Sequence, residues 1–181
     1  MSNVQDSEKK IKNQFEVLKR IDTYIGTTNT KCTIIMSYCA AATAFIFTLL
    51  AKIEPASASI QLLVAIGVCS VLALALGLCC MVLATLTIFP VTFSSPGAHK
   101  GSSLIFYGDI AGCSGGADYS RNVQSTSDEV FLEDLNGQVF TLATIASRKF
   151  DRIKLVTVFL MIHFVFMGGF LIFSVAYFLL K

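Results

Sequence analysis

"LLVAIGVCSVLALALGLCCMVLATLTIF", residues 62–89, decides the fold because it contains no Asp, Glu, Lys or Arg. A helix needs roughly 20 apolar residues to cross a hydrocarbon core of about 30 Å, and charged side chains are costly at that depth. The stretch therefore predicts a transmembrane helix. Because it is longer than one crossing requires, we expect it to tilt or to project into the cytoplasm.

Residues 33–51 and 155–180 are two further apolar stretches without charged side chains. Over its 181 residues the chain is 54% hydrophobic and 14% charged, whereas about a quarter of the residues in soluble domains are charged. These features predict an all-α membrane protein with three transmembrane helices and a small cytoplasmic helical region. The alternative, a large buried helical core, would have to hide three such helices in a chain of this length.

The basic residues predict how the chain is oriented, since Lys and Arg are retained in cytoplasmic segments. Residues 1–32 carry six, the connection 52–61 carries one, residues 90–154 carry six, and Lys181 ends the chain. We therefore expect residues 1–32 and 90–154 to be cytoplasmic. The short connection and the C-terminus then lie outside.

Two helices are predicted in the cytoplasmic segments. The first, the front helix in residues 2–25, has apolar residues at heptad-like spacing, with a possible break at Gly26. The second, the stalk helix, begins at a capping box formed by Thr126 and Glu129 and continues into the third span, with a weak point at Asn136–Gly137. Residues 90–103 and 112–127, which are rich in Gly, Ser and Pro, are predicted to be loops.

Between these loops lies "SLIFYGDIAG", residues 103–112, an apolar run too short to span a membrane. We expect Leu104, Ile105 and Phe106 to pack against the front and stalk helices as a short strand or a turn of helix. The following Gly108 and Asp109 are expected to face a binding site.

No catalytic or metal-binding motif is present. Neither His99 nor His163 has a second ligand at metal-binding spacing, and the six cysteines show no paired spacing, so we expect them to be reduced. His163 is interpreted as a neutral histidine that is hydrogen-bonded within the helix bundle, with a proton relay as the alternative. The chain is therefore predicted to be neither an enzyme nor a metal or nucleic-acid binder.

A group of polar residues in the cytoplasmic segments has the chemistry to bind a small anionic nucleotide. Basic side chains can bind a phosphate, a tyrosine can stack on a base, and amide or acid groups can contact the polar edge of the base. The candidates are Asn29, Lys31, Tyr107, Asp109, Gln138, Arg148 and Lys149. The alternative is that the basic residues only set the orientation in the membrane, and that Asp109 caps a helix or pairs with one of them.

Three motifs occur in a defined order: "KRIDTYIGTTNTK" at 19–31, "LIFYGDIAG" at 104–112 and "DLNGQVFTLATIASRKF" at 134–150. In this order, and with this hydropathy, the chain resembles the Pycsar transmembrane effector family. The resemblance implies bacterial antiphage defence, in which a cognate pyrimidine cyclase makes cyclic CMP or cyclic UMP. The effector binds this nucleotide at the cytoplasmic face of the inner membrane and impairs that membrane, so the candidates above become sensor residues.

Two other functional classes remain open from the sequence: a constitutive holin-like or toxin-like permeabiliser, and a structural membrane subunit. The first span has a narrow, weakly polar face. Its residues are Ser37, Ala41, Ala44 and Thr48. Because one subunit cannot enclose an aqueous pore with this face, any permeation requires a homo-oligomer in contact with membrane lipid. The alternative is that Ser37 and Thr48 only form hydrogen bonds between helices.

Overall fold

A computed structural model describes residues 2–55, 59–90 and 103–180, with the side chains of 2–4 excluded. The five helices in these ranges are α1 (Ser2–Leu50), α2 (Ile60–Ile88), α3 (Tyr107–Ala111), α4 (Gly116–Ser125) and α5 (Asp128–Leu180). Within the described ranges there is no strand, and α1, α2 and α5 are long and apolar enough to cross a membrane. The prediction of an all-α membrane protein with three spanning helices is confirmed. Residues 91–102, with Pro96 and His99, lie outside the described residues.

The chain divides into two compact units. The polar unit comprises residues 1–27 and 90–148, and the apolar unit comprises residues 28–89 and 149–181. The predicted spans at 33–51, 62–89 and 155–180 lie in the apolar unit and correspond to α1, α2 and α5, although α1 ends at Leu50 and α2 at Ile88. Helices α1 and α5 each contribute residues to both units.

The possible break at Gly26 and the weak point at Asn136–Gly137 are both absent, since α1 and α5 continue through them. Around Gly26, Thr23 and Thr27 donate hydrogen bonds to the carbonyls of Lys19 and Thr23, at 2.9 and 2.8 Å. Such bonds satisfy the hydroxyl groups within the helix. Both helices thus continue despite the weak helix propensity of these residues.

The prediction of a loop at 112–127 is wrong, because α4 occupies Gly116–Ser125. Gly115 precedes it with φ of 153°, a conformation that favours glycine. Asp118, in the first turn, accepts a hydrogen bond from the Ser114 amide at 3.2 Å. A carboxylate in this position satisfies backbone donors at the helix start and complements the helix dipole.

The predicted capping box is also displaced by one residue. The Thr126 hydroxyl donates to the Asn122 carbonyl at 2.7 Å, at the end of α4. Ser127 is the residue that caps α5, because its Oγ accepts from the Val130 amide at 3.4 Å. Two adjacent hydroxyl residues thus end one helix and begin the next.

In the apolar unit the three long helices pack around Ile46, Ile66, Ala73, Phe170 and Tyr177. His163 is buried among them; its Nδ1 lies 2.9 Å from the Ala73 carbonyl and its Nε2 lies 3.3 Å from the Tyr38 hydroxyl. A carbonyl only accepts, so Nδ1 carries a proton and donates to Ala73. His163 is thus hydrogen-bonded within the helix bundle, as expected from the sequence.

Small residues bring α2 and α5 together. A Cβ atom at Gly77 would lie 3.4 Å from His163, and one at Gly169 would lie 3.1 Å from the Cys69 sulfur. A Cβ at the adjacent Gly168 would meet nothing within 4 Å. Close contact between these helices therefore depends on Gly169 and not on Gly168.

We expect Gly169→Leu to lower the free energy of unfolding by about 1–3 kcal/mol, because the added side chain overpacks the contact with Cys69. Gly168→Leu is the matched control, since both changes bring the same gain in helix propensity. Thermal unfolding of the detergent-solubilised protein measures the difference. Equal midpoints for the two variants would contradict this account of the α2–α5 contact.

Candidate ligand-binding site

The apolar run of residues 103–112 begins with a compact turn, which hydrogen bonds to two carboxylates hold in place. The Ser103 amide donates to Oδ2 of Asp109 at 2.8 Å. Oδ2 of Asp134, on α5, accepts from the Leu104 amide at 2.8 Å and from the Ser103 hydroxyl at 3.1 Å. We call residues 103–106, which precede α3, the Ser103 turn. Its backbone is anchored on α5 by Asp134, which is 7% exposed.

Gln138 contacts the same turn from one helical turn further along α5, with its Nε2 donating to the Ser103 Oγ at 3.1 Å. The Tyr119 hydroxyl of α4 donates to the Leu104 carbonyl at 2.9 Å. The motif at 134–138 and the motif at 104–112 therefore meet in one hydrogen-bonded network. The predicted strand or helix turn is resolved as an irregular turn followed by α3, which begins at Tyr107.

Sequence reasoning missed Ser103 and Asp134, which are central to this network. Asp134 stands four residues before Gln138, so both side chains occupy one face of α5. This spacing was a usable signal in the sequence, because an acid and an amide four residues apart on one helix can hydrogen-bond to the same neighbouring segment.

A cleft of about 250 Å³ lies in the polar unit beside the Ser103 turn. Its walls come from α1, from the start of α3 and from α5. The lining residues are Leu18, Ile105, Phe106, Tyr107, Gln138, Thr141, Leu142 and Ile145. Tyr107 is 64% exposed, and its ring centroid lies 4.8 Å from that of Phe106. The cleft combines apolar walls, an accessible aromatic ring and one amide side chain.

A second cavity, of about 300 Å³, is lined by Gly108, Asp109, Gly112, Cys113, Asp118 and Asn122. Two of these residues are carboxylates, which disfavour an anionic ligand. The Asp109 carboxylate is also bonded to the Ser103 amide. This bond favours a structural role for Asp109, with a backbone amide as its partner instead of the helix cap or basic residue that the sequence suggested.

In the apolar unit, Lys149 and Arg152 bind the C-terminal end of α2. The Lys149 ammonium donates to the Thr87 carbonyl, to the Ile88 carbonyl at 3.4 Å and to Oδ1 of Asn29 at 3.0 Å. The Arg152 guanidinium donates to the Leu86 carbonyl at 2.7 Å. The last carbonyls of a helix lack partners within it and attract cations, so both residues cap α2.

These contacts use all three N–H bonds of Lys149, which is 6% exposed. Lys149 precedes the apolar segment 155–180, and burial lowers the pKa of its ammonium group. The side chains of Lys31 and Arg148 are exposed and make no hydrogen bond or ion pair with any residue that the structure describes. Among the basic candidates, these two have N–H groups available for a ligand.

The structure thus places the candidates in two sets. Tyr107, Asp109, Gln138 and Arg148 lie in the polar unit, where Asp109 and Gln138 both contact Ser103. Asn29, Lys31 and Lys149 lie in the apolar unit, where Asn29 contacts Lys149. Among the described residues, no cluster of His, Cys, Asp or Glu could hold a metal ion.

Comparison with known proteins gives one match. A family model described as the Pycsar effector protein domain matches residues 13–179. Neither the curated proteins nor the solved structures contain a match to the chain. The matched range includes the Ser103 turn, the cleft, all of α2 and most of α1 and α5.

We expect Asp134→Ala to release the Ser103 turn, because the Leu104 amide and the Ser103 hydroxyl lose their common acceptor. An unsatisfied buried donor costs about 1–3 kcal/mol. Hydrogen exchange at the Leu104 amide should accelerate, whereas Glu129→Ala, which removes an exposed carboxylate from the same helix, should leave it unchanged. Equal protection of Leu104 in both variants would show that Asp134 does not anchor the turn.

Lys149→Met should destabilise the protein by about 1–3 kcal/mol, since the α2 carbonyls and Asn29 lose a buried donor. Lys154→Met is the control, because Lys154 forms only an exposed ion pair with Asp151 at 3.1 Å, and such pairs contribute little. Thermal midpoints of the two solubilised variants provide the comparison. A lower midpoint for Lys154→Met than for Lys149→Met would refute the capping role.

Proposed function

The chain belongs to the Pycsar effector family, and we propose that it is an antiphage effector of the bacterial inner membrane that is activated by cyclic CMP or cyclic UMP. Its cognate partner is a pyrimidine cyclase that makes this nucleotide during infection. Nucleotide binding then impairs the membrane and arrests growth. Family membership supports the role in antiphage defence, and the three apolar helices support the location in the membrane.

The cleft is the observation that carries the ligand-binding part of the proposal. It lies in the polar unit and offers an exposed aromatic ring, apolar walls and an amide. Bases bind proteins by stacking on aromatic rings and by hydrogen bonding at their polar edges. Because the distribution of basic residues assigns 1–32 and 90–154 to the cytoplasm, the ligand arrives from that side, with the C-terminus outside.

The effect on the membrane follows from a shift between two arrangements of the helices. A ligand changes such an equilibrium only by its difference in affinity for the two arrangements, and a tenfold shift needs about 1.4 kcal/mol. Impairment of the membrane requires several copies of the chain, because a single set of three helices cannot enclose an aqueous pore. A homo-oligomer in contact with lipid is therefore part of the proposal.

The test uses full-length protein reconstituted in liposomes that contain a potential-sensitive dye. We expect depolarisation only after addition of cyclic CMP or cyclic UMP, with cyclic AMP as the control, and calorimetric binding of the active nucleotide to the solubilised protein. Depolarisation without nucleotide would instead identify a constitutive permeabiliser. A protein that neither binds nucleotide nor depolarises the liposomes would be a structural subunit, and the proposal would fail.

A further inference from the structure

We infer that the cleft beside the Ser103 turn binds the pyrimidine ring, and that Gln138 presents its carbonyl oxygen to a hydrogen-bond donor on the base. This inference rests on the proposed function and adds the location and the polarity of the site. It assigns direct ligand contacts to Tyr107, Gln138 and Arg148. Asn29, Asp109 and Lys149, whose side chains are hydrogen-bonded within the protein, are assigned structural roles.

The orientation of the Gln138 amide follows from the hydrogen bonds around Ser103. Asp134 can only accept, so the single hydroxyl proton of Ser103 is directed to its carboxylate, 3.1 Å away. Ser103 Oγ also accepts from the Ile105 and Phe106 amides, at 3.2 and 3.0 Å. It has no proton left to donate to Gln138, which places the amide nitrogen, and not the oxygen, towards Ser103 at 3.1 Å. The Gln138 side chain lines the cleft, and its Oε1 has no partner among the described residues.

An acceptor at this position suits both pyrimidines. Cytosine offers its exocyclic amine and uracil offers its ring N–H, and each can donate to Oε1. A site with a fixed acceptor discriminates against an analogue that lacks the donor, because a buried polar group is then left unpaired. The base edge is thus recognised through one hydrogen bond of defined direction.

The dimensions of the cleft fit one base. Its volume of about 250 Å³ is below the roughly 300–1,000 Å³ of pockets that hold drug-sized ligands. The exposed Tyr107 ring provides a stacking surface, while Leu18, Leu142 and Ile145 provide apolar contacts. Stacking of a base on an aromatic side chain typically contributes tenfold or more to affinity.

Arg148 is placed to bind the cyclic phosphate. It follows the lining residue Ile145 by three positions on α5, so it lies on the same helix face, about 4.5 Å further along the axis. It is exposed and makes no ion pair with any described residue. A free guanidinium next to an uncharged cleft favours a ligand with one neutral ring and one negative charge.

The first experiment tests the acceptor. For full-length protein in detergent, we expect Gln138→Leu to weaken calorimetric binding of the active nucleotide at least tenfold, or about 1.4 kcal/mol. Gln124→Leu, the same change on α4 outside the cleft, should have no effect. An analogue of the active nucleotide without the donor, dimethylated at the amine of cytosine or methylated at the ring N–H of uracil, should bind wild type at least tenfold more weakly than the parent nucleotide does. Gln138→Leu should bind the analogue and the parent nucleotide equally well.

The second experiment is independent of the Ser103 network. Ile145→Trp fills the cleft and should abolish nucleotide binding, whereas Thr144→Trp, one residue earlier and outside the lining, should retain it. Arg148→Gln should weaken binding about tenfold, with Arg121→Gln on α4 as its control.

The outcomes separate this inference from the proposed function. If wild type binds the nucleotide and both Gln138→Leu and Ile145→Trp bind it equally well, the cleft assignment is overturned and the proposed function stands. If the methylated analogue weakens binding as much in Gln138→Leu as in wild type, Gln138 does not contact the base. If wild type binds neither cyclic CMP nor cyclic UMP, both proposals fall together.

Discussion

A carboxylate buried in a small helical unit must be hydrogen-bonded, because the interior offers no water to replace the lost hydration. In the polar unit this constraint applies to Asp134, which accepts from the Leu104 amide and from the Ser103 hydroxyl. The same two bonds fix Ser103 and Leu104, at the start of an irregular backbone segment, on α5. Since Ser103 has only one proton to donate, they also determine how Gln138 is oriented. One carboxylate thereby organises both a turn and a wall of the cleft.

The polar side chains fall into two groups. Some are hydrogen-bonded to other residues of the protein, and others have no partner among the described residues. Lys149 and Arg152 bind carbonyls at the end of α2, and Asp109 binds the Ser103 amide. Arg148, adjacent to Lys149, is exposed and unpaired among the described residues. Successive residues on a helix point about 100° apart, so neighbours in one basic motif have different partners. A motif defined by residue type alone therefore combines framework contacts with candidate ligand contacts.

The sequence was sufficient to predict the spanning helices, because the absence of charged residues over such long stretches has few other physical explanations. It was insufficient for α4, whose Gly- and Ser-rich composition is typical of a loop. The Ser114 amide donates to Asp118 at the start of that helix, and the Tyr119 hydroxyl donates to the Leu104 carbonyl, which lies outside its local sequence. The predicted position of the α5 cap was wrong because both Thr126 and Ser127 are residue types that can cap a helix. Only the structure shows that Thr126 bonds back to Asn122.

The sequence indicates the residue types of the candidate site but not which of them lie together. In the structure Tyr107 and Gln138 line one cleft. The cleft is lined by Leu18 of α1 and by four residues of α5, and these are the two helices that also contribute to the apolar unit. Neither helix contains proline, the residue most prone to kink a helix and thereby absorb a displacement. Under the proposed function, a base in the cleft would contact both helices that continue into the apolar unit. This continuity is then the physical connection between nucleotide binding and the membrane.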